Sequence, residues 1–70
     1  MKTLDLHGLQ HDQAESAIIN FIALNEMPVQ IVTGKSERMR RMVMNAAQKT
    51  GHEWHYQNWT NAGCLVITEI

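Results

Sequence analysis

The amino-acid sequence predicts a two-layer α/β sandwich with elements in the order strand, helix, strand, helix, strand, strand (βαβαββ). Three observations carry this prediction. Residues 10–25 and 37–50 place apolar side chains at helical spacing. Each is preceded by a short apolar segment ending in a glycine-containing turn. The chain then closes on two strand-like segments separated by a turn signal. Strands joined through a helix are expected to be parallel with right-handed crossovers, and strands joined by a hairpin antiparallel. Two helices cannot cover both faces of a four-stranded sheet, so both are expected on one face, leaving the other partly open.

The elements follow in chain order. Lys2 to Leu6 is short and partly alternating, which suits a strand. In the first helix, Gln10 to Asn25, the apolar stripe is Ala14, Ala17, Ile18, Phe21 and Ile22. Gln10 is a poor N-cap, but Asp12 favours the first turn electrostatically. Pro28 cannot continue the helix. Val29 to Thr33 is β-branched and apolar, as a buried parallel strand should be. Ser36 is a cap for the second helix, Glu37 to about Thr50, whose stripe is Met39, Met42, Val43, Ala46 and Ala47. Gly51 ends it. Glu53 to Asn58 alternates, with Trp54 and Tyr56 on one face and Glu53, His55 and Gln57 on the other. Asn61-Ala62-Gly63 reads as a turn, and Cys64 to Ile70 as the last strand.

Length and composition narrow the function classes. The 70 residues, 1–70, form one small domain, and a chain this short buries only about 60% of its unfolded surface. Met1 lies almost on the first strand, so the chain reads as a whole protein. The single Cys64 excludes an internal disulfide framework and fits a cytoplasmic setting. Beside Leu65-Val66-Ile67 it reads as a small buried hydrophobe. No signal peptide or membrane-spanning stretch is present.

The net charge of −1 conceals an asymmetry. Lys35, Arg38, Arg40, Arg41 and Lys49 against Glu37 give +4, while Lys2 against Asp5, Asp12, Glu15, Glu26, Glu53 and Glu69 gives −5. A basic segment in an acidic chain suggests an oriented anionic partner, although a solvated helix face has the same composition.

The chemistry-bearing residues gather in two turns. Leu4-Asp5-Leu6-His7-Gly8 ends the first strand, and alternation places Asp5 and His7 on one face. Thr33-Gly34-Lys35-Ser36 ends the second strand and opens a helix, whose free N–H groups and positive dipole end favour an anion. Parallel strands bring both turns to the same sheet edge, where open α/β sheets bind ligands. Gly34-Lys35-Ser36 lacks the earlier glycine of a nucleotide phosphate loop, so no nucleotide cofactor is expected. Arg38, Arg41, Asn45 and Lys49 form a stripe that could track a nucleic-acid backbone. Trp54, Tyr56 and Trp59 are the aromatics available for base stacking, with core or hairpin packing the simpler role for the first two. His52 and His55 are expected to face solvent, His11 to lie in a first helical turn, and the five methionines mostly to fill core.

At this point the chain resembles the Smr (small MutS-related) domain over nearly its whole length. Leu4-Asp5-Leu6-His7-Gly8-Leu9 matches the family's first motif. Thr33-Gly34-Lys35 matches the second, with Ser36 where the family usually has glycine and a shorter turn before the helix. Gly63-Cys64-Leu65 is similar to its closing run. The resemblance implies a fold like the C-terminal domain of bacterial translation initiation factor 3, with sheet order 1-2-4-3 and an antiparallel last strand. It also implies action on nucleic acid, RNA or DNA, by nicking or cleavage, usually with a divalent metal such as magnesium or manganese.

The leading expectation is thus a metal-assisted endonuclease. His7 would serve as general base or acid, and Asp5 would orient it or hold the metal. Thr33, Gly34, Lys35 and Ser36 would bind phosphate, with Arg38 and Arg41 on the strand beyond. Two alternatives stand beside it: a non-catalytic nucleic-acid- or ribosome-binding module, and a small protein adaptor using the open sheet face.

Overall fold

A computed structural model describes residues 1–58 and 60–69. Its elements are β1 (Lys2–Asp5), α1 (His11–Leu24), β2 (Val29–Val32), α2 (Glu37–Lys49), β3 (His52–Asn58) and β4 (Asn61–Glu69). The sheet order is β1-β2-β4-β3, with β1 and β2 parallel and β4 antiparallel to both neighbours. The expected architecture is thereby observed.

Burial explains the order. Cys64, Leu65, Val66 and Ile67 are all buried, so β4 suits the interior of the sheet, where both faces need cover. The edge strands are the more exposed ones, with Lys2 and Thr3 on β1 and Glu53 and His55 on β3 exposed. Val29 and Ile31 on β2 face the same side as their register partners Ile67 and Leu65. Against that side pack Ala14, Ile18 and Ile22 of α1 and Met39, Val43, Ala46 and Ala47 of α2, forming one core. Both helices therefore cover one face, and each fully buried Ile or Leu contributes about 1.5–3 kcal/mol. Tyr56 and Met42 pack partly against this core. Trp54 meets Tyr56 edge-on at 5.6 Å, so both serve hairpin packing. On the helix-free face Val66 sits between its register partners Gln30 and His55.

The helix ends follow local chemistry. The Ser36 hydroxyl accepts from Met39 N–H at 3.2 Å, as a cap should. Gly51, at φ 76°, leaves α2 in the left-handed region. At α1 the Gln13 carboxamide accepts from the N–H of the cap residue Gln10 at 3.4 Å. The Asn25 amide closes the other end by donating to Phe21 O at 2.9 Å.

Three expectations are corrected. Asn61-Ala62-Gly63 is not the turn: it begins β4, because Asn58 pairs with Asn61 and leaves only positions 59 and 60 between the strands. Asn58 Oδ1 organises this reversal by accepting from Thr60 N at 3.0 Å and Thr60 Oγ1 at 2.7 Å. β1 stops at Asp5, so Leu6 and His7 lie beyond the strand. His52 is half-buried in β3, with its Nδ1 2.8 Å from Thr50 Oγ1; His55 is exposed as expected. The expectations for Trp59 and for Ile70 as the last strand residue lie outside the described residues.

Candidate functional site

Leu6 N–H donates to Val32 O at 2.9 Å, so the ends of β1 and β2 stay joined past the last residue of β1. The two turns that follow therefore leave the sheet side by side. The first is closed by Leu9 N–H on Leu6 O at 3.1 Å, with Gly8 at φ 84° in the position where a type II turn needs a positive φ. His7 occupies this turn and is exposed. Strand alternation consequently does not set its direction, contrary to the sequence expectation. The Asp5 carboxylate instead holds the main chain of this turn, its Oδ1 accepting from His7 N–H at 2.8 Å. Asp5 pairs in register with Val32 and is exposed.

The second turn is more tightly held than its sequence suggests. Thr33 N–H and Gly34 N–H both donate to Gly63 O, at 2.8 and 3.1 Å. The Thr33 hydroxyl lies 3.2 Å from Gly34 O and 3.3 Å from Gly63 O, and Thr33 is 5% exposed. The expectation of free N–H groups throughout this turn is thus corrected at residues 33 and 34. The cause is the early start of β4, which brings Gly63 alongside. Gly34 takes φ 64°, and a Cβ there would meet nothing within 4 Å, leaving its surface open. Lys35 is exposed and Ser36 caps α2. Thr33 and Ser36 hence shape the turn, whereas Lys35 presents the charge.

The four basic residues of α2 each take a different place. Arg41 pairs with Glu37 at 3.4 Å on an exposed surface. Asn45 and Lys49 open onto a groove between the helices, shared with Glu15 and Ile19. Arg40, which the sequence did not single out, sends Nη1 back to 3.5 Å from Gly34 O and lines a second groove with Lys35. Its signal was the i+4 spacing from the cap residue Ser36, which returns a long side chain toward the turn. Arg38 is exposed.

Cys64 is 5% exposed, and burial raises its thiol pKa above the usual 9.0, which suits packing rather than nucleophilic chemistry. Among the described residues no group of three or more His, Cys, Asp or Glu could hold a metal ion. Asp5 offers one carboxylate at the sheet edge. Its Oδ1 already accepts from His7 N–H, so the site would give a magnesium-type ion at most one carboxylate, and it does not fit a transition-metal cage. No helix among the described residues is long and apolar enough to cross a membrane. No protein-family model matches the chain, and no curated protein or solved structure matches it at a significant level.

Proposed function

We propose that the sheet edge carrying the Asp5–His7 and Thr33–Ser36 turns binds a nucleic-acid phosphate, and that the protein is a small endonuclease acting on RNA or DNA. The observation that supports this most is the Leu6–Val32 hydrogen bond of 2.9 Å. It joins the ends of the adjacent parallel strands β1 and β2, from which the turns bearing the exposed His7 and the exposed Lys35 leave the sheet. Likeness of the two motifs to the Smr domain points the same way.

In this reading Lys35 holds the phosphate and offsets charge that builds on it. The His7 imidazole takes a proton from the attacking water as the new P–O bond forms, and the departing oxygen leaves with a proton from solvent. Asp5 fixes the start of the His7 turn through the main chain and supplies the carboxylate that would hold a divalent ion. When bound, such an ion would polarise the phosphoryl oxygens.

A second reading, a binding module without cleavage, is favoured by the hydrogen bonds that already occupy Thr33 and Gly34. Single-turnover incubation with labelled single-stranded RNA, single-stranded DNA and supercoiled plasmid separates the two. Cleavage in magnesium or manganese that stops in chelator is the expected result. Binding with no cleavage of any substrate would replace the enzyme with the module.

A further inference from the structure

The helix-free face carries a groove of about 650 Å³ beside the Lys35 turn. Val32 and Cys64, register partners on β2 and β4, form an apolar floor. Gln30 precedes Val32 by two positions on the same strand and hence the same face. Gln57 lies on β3 across β4, on the face opposite Tyr56. Lys35 and Arg40 line the end where β2 leaves the sheet, and among the described residues no Asp or Glu lines the groove. The groove thus combines two cations, two carboxamides and a flat apolar floor. Its size is within the roughly 300–1,000 Å³ of small-ligand pockets.

We propose that this groove holds one nucleotide of a single-stranded nucleic acid. Its phosphate lies on Lys35 and Arg40, and its base lies over Val32 and Cys64, with its polar edge toward Gln30 and Gln57. This rests on the phosphate-site reading above and extends it from backbone to base. Three features favour this occupant. The cations without a lining acid select an anion. The apolar floor matches the flat face of a base. Each carboxamide offers donors and an acceptor, as a base edge requires. In a duplex those edges are paired and the faces stacked, so an unpaired strand is the form that fits.

The test is fluorescence anisotropy of two labelled strands of equal length, an oligonucleotide and its abasic sugar-phosphate counterpart, at one salt concentration in chelator to prevent cleavage. The wild type is expected to bind the base-bearing strand roughly 5-fold more tightly, about 1 kcal/mol, the low end of what a base stacked on an aromatic ring contributes, because the floor here is aliphatic. Gln57→Ala and Gln30→Ala are expected to narrow that gap while leaving abasic affinity unchanged. Lys35→Ala with Arg40→Ala should weaken both strands alike. Gln57 is exposed, so its variant keeps the test valid if Gln30→Ala fails to fold in a thermal melt. Equal affinity for the two strands, still sensitive to Lys35 and Arg40, would overturn the base subsite and leave the phosphate site standing. A preference that survives both glutamine variants would also overturn it. Failure to bind either strand would overturn both readings.

Discussion

The Asp5 carboxylate accepts the main-chain N–H of His7 at 2.8 Å, tying the last residue of β1 to the turn that bears the imidazole. Asn retains an acceptor oxygen at this position and Ala does not. Asp5→Asn is therefore expected to keep the wild-type melting midpoint, whereas Asp5→Ala loses about 1 kcal/mol. Under the proposed function Asp5→Asn loses metal-dependent cleavage while still binding substrate, because it lacks the charge. Thermal melts and single-turnover cleavage of both variants check this. Full cleavage by Asp5→Asn would reduce Asp5 to a turn-former.

His7→Ala is expected to leave the fold unchanged, since His7 is exposed in a turn and its truncation opens no core cavity. Cleavage should fall by about 10²–10⁴-fold, the usual contribution of a general base or acid. A wild-type rate in His7→Ala would remove it from the mechanism.

Arg40 and Arg41 are neighbours in sequence with different expected effects. Arg40 reaches the Gly34 carbonyl at the proposed phosphate site, while Arg41 is held by Glu37 at 3.4 Å. Lys35→Ala plus Arg40→Ala should flatten the log–log salt dependence of binding by about 0.7–0.9 per lost phosphate contact. Arg41→Ala should change it little, and an exposed i,i+4 pair contributes only about 0.3–0.5 kcal/mol to stability. Salt titrations of the two variants give the comparison; a larger effect from Arg41 would move the strand to the outer face of α2.

Ile31 is 0% exposed and sits between Leu4 and Leu65 in the register of β1, β2 and β4. Ile31→Ala is expected to cost about 2–5 kcal/mol. Against a total of roughly 4–10 kcal/mol for a 70-residue domain, that loss should leave a large unfolded fraction at moderate denaturant. Val32→Ala, one position on but half-buried on the opposite face, should cost less. Urea denaturation of the pair measures the difference.

Burial raises the Cys64 thiol pKa above its usual 9.0. The unfolded chain therefore releases this proton at lower pH than the folded one. The stabilising effect is complete below pH 9.0 and is lost as pH rises through the folded value. Cys64→Ala is expected to lose less stability than the wild type between neutral and alkaline pH. Denaturation midpoints across that range test it, and parallel curves for the two proteins would refute it.

Local sequence determined the elements of this protein. The apolar stripes through Ile18 and Val43, the Ser36 cap, Gly51 and the β-branched run from Val29 are short-range signals, and each acts through its nearest neighbours along the chain. The helix between β1 and β2 also made their parallel pairing and shared edge legible. Resemblance of the two motifs to a known family supplied the strand order. Tertiary structure alone decided the rest. Gly63, 30 residues from Thr33 in sequence, takes the Thr33 hydroxyl and two main-chain N–H groups. No periodicity in either segment reports that meeting. It depends on where β4 begins, and the Asn58 side chain sets that start by closing the hairpin early. The same register turns Cys64 onto the helix-free face beneath Gln30 and Gln57 rather than into the core. Arg40 joins the groove because α2 starts immediately after the turn, so one helical turn carries its side chain back to Gly34. Such juxtapositions arise from strand pairing and side-chain reach across the fold, which act between segments rather than within them.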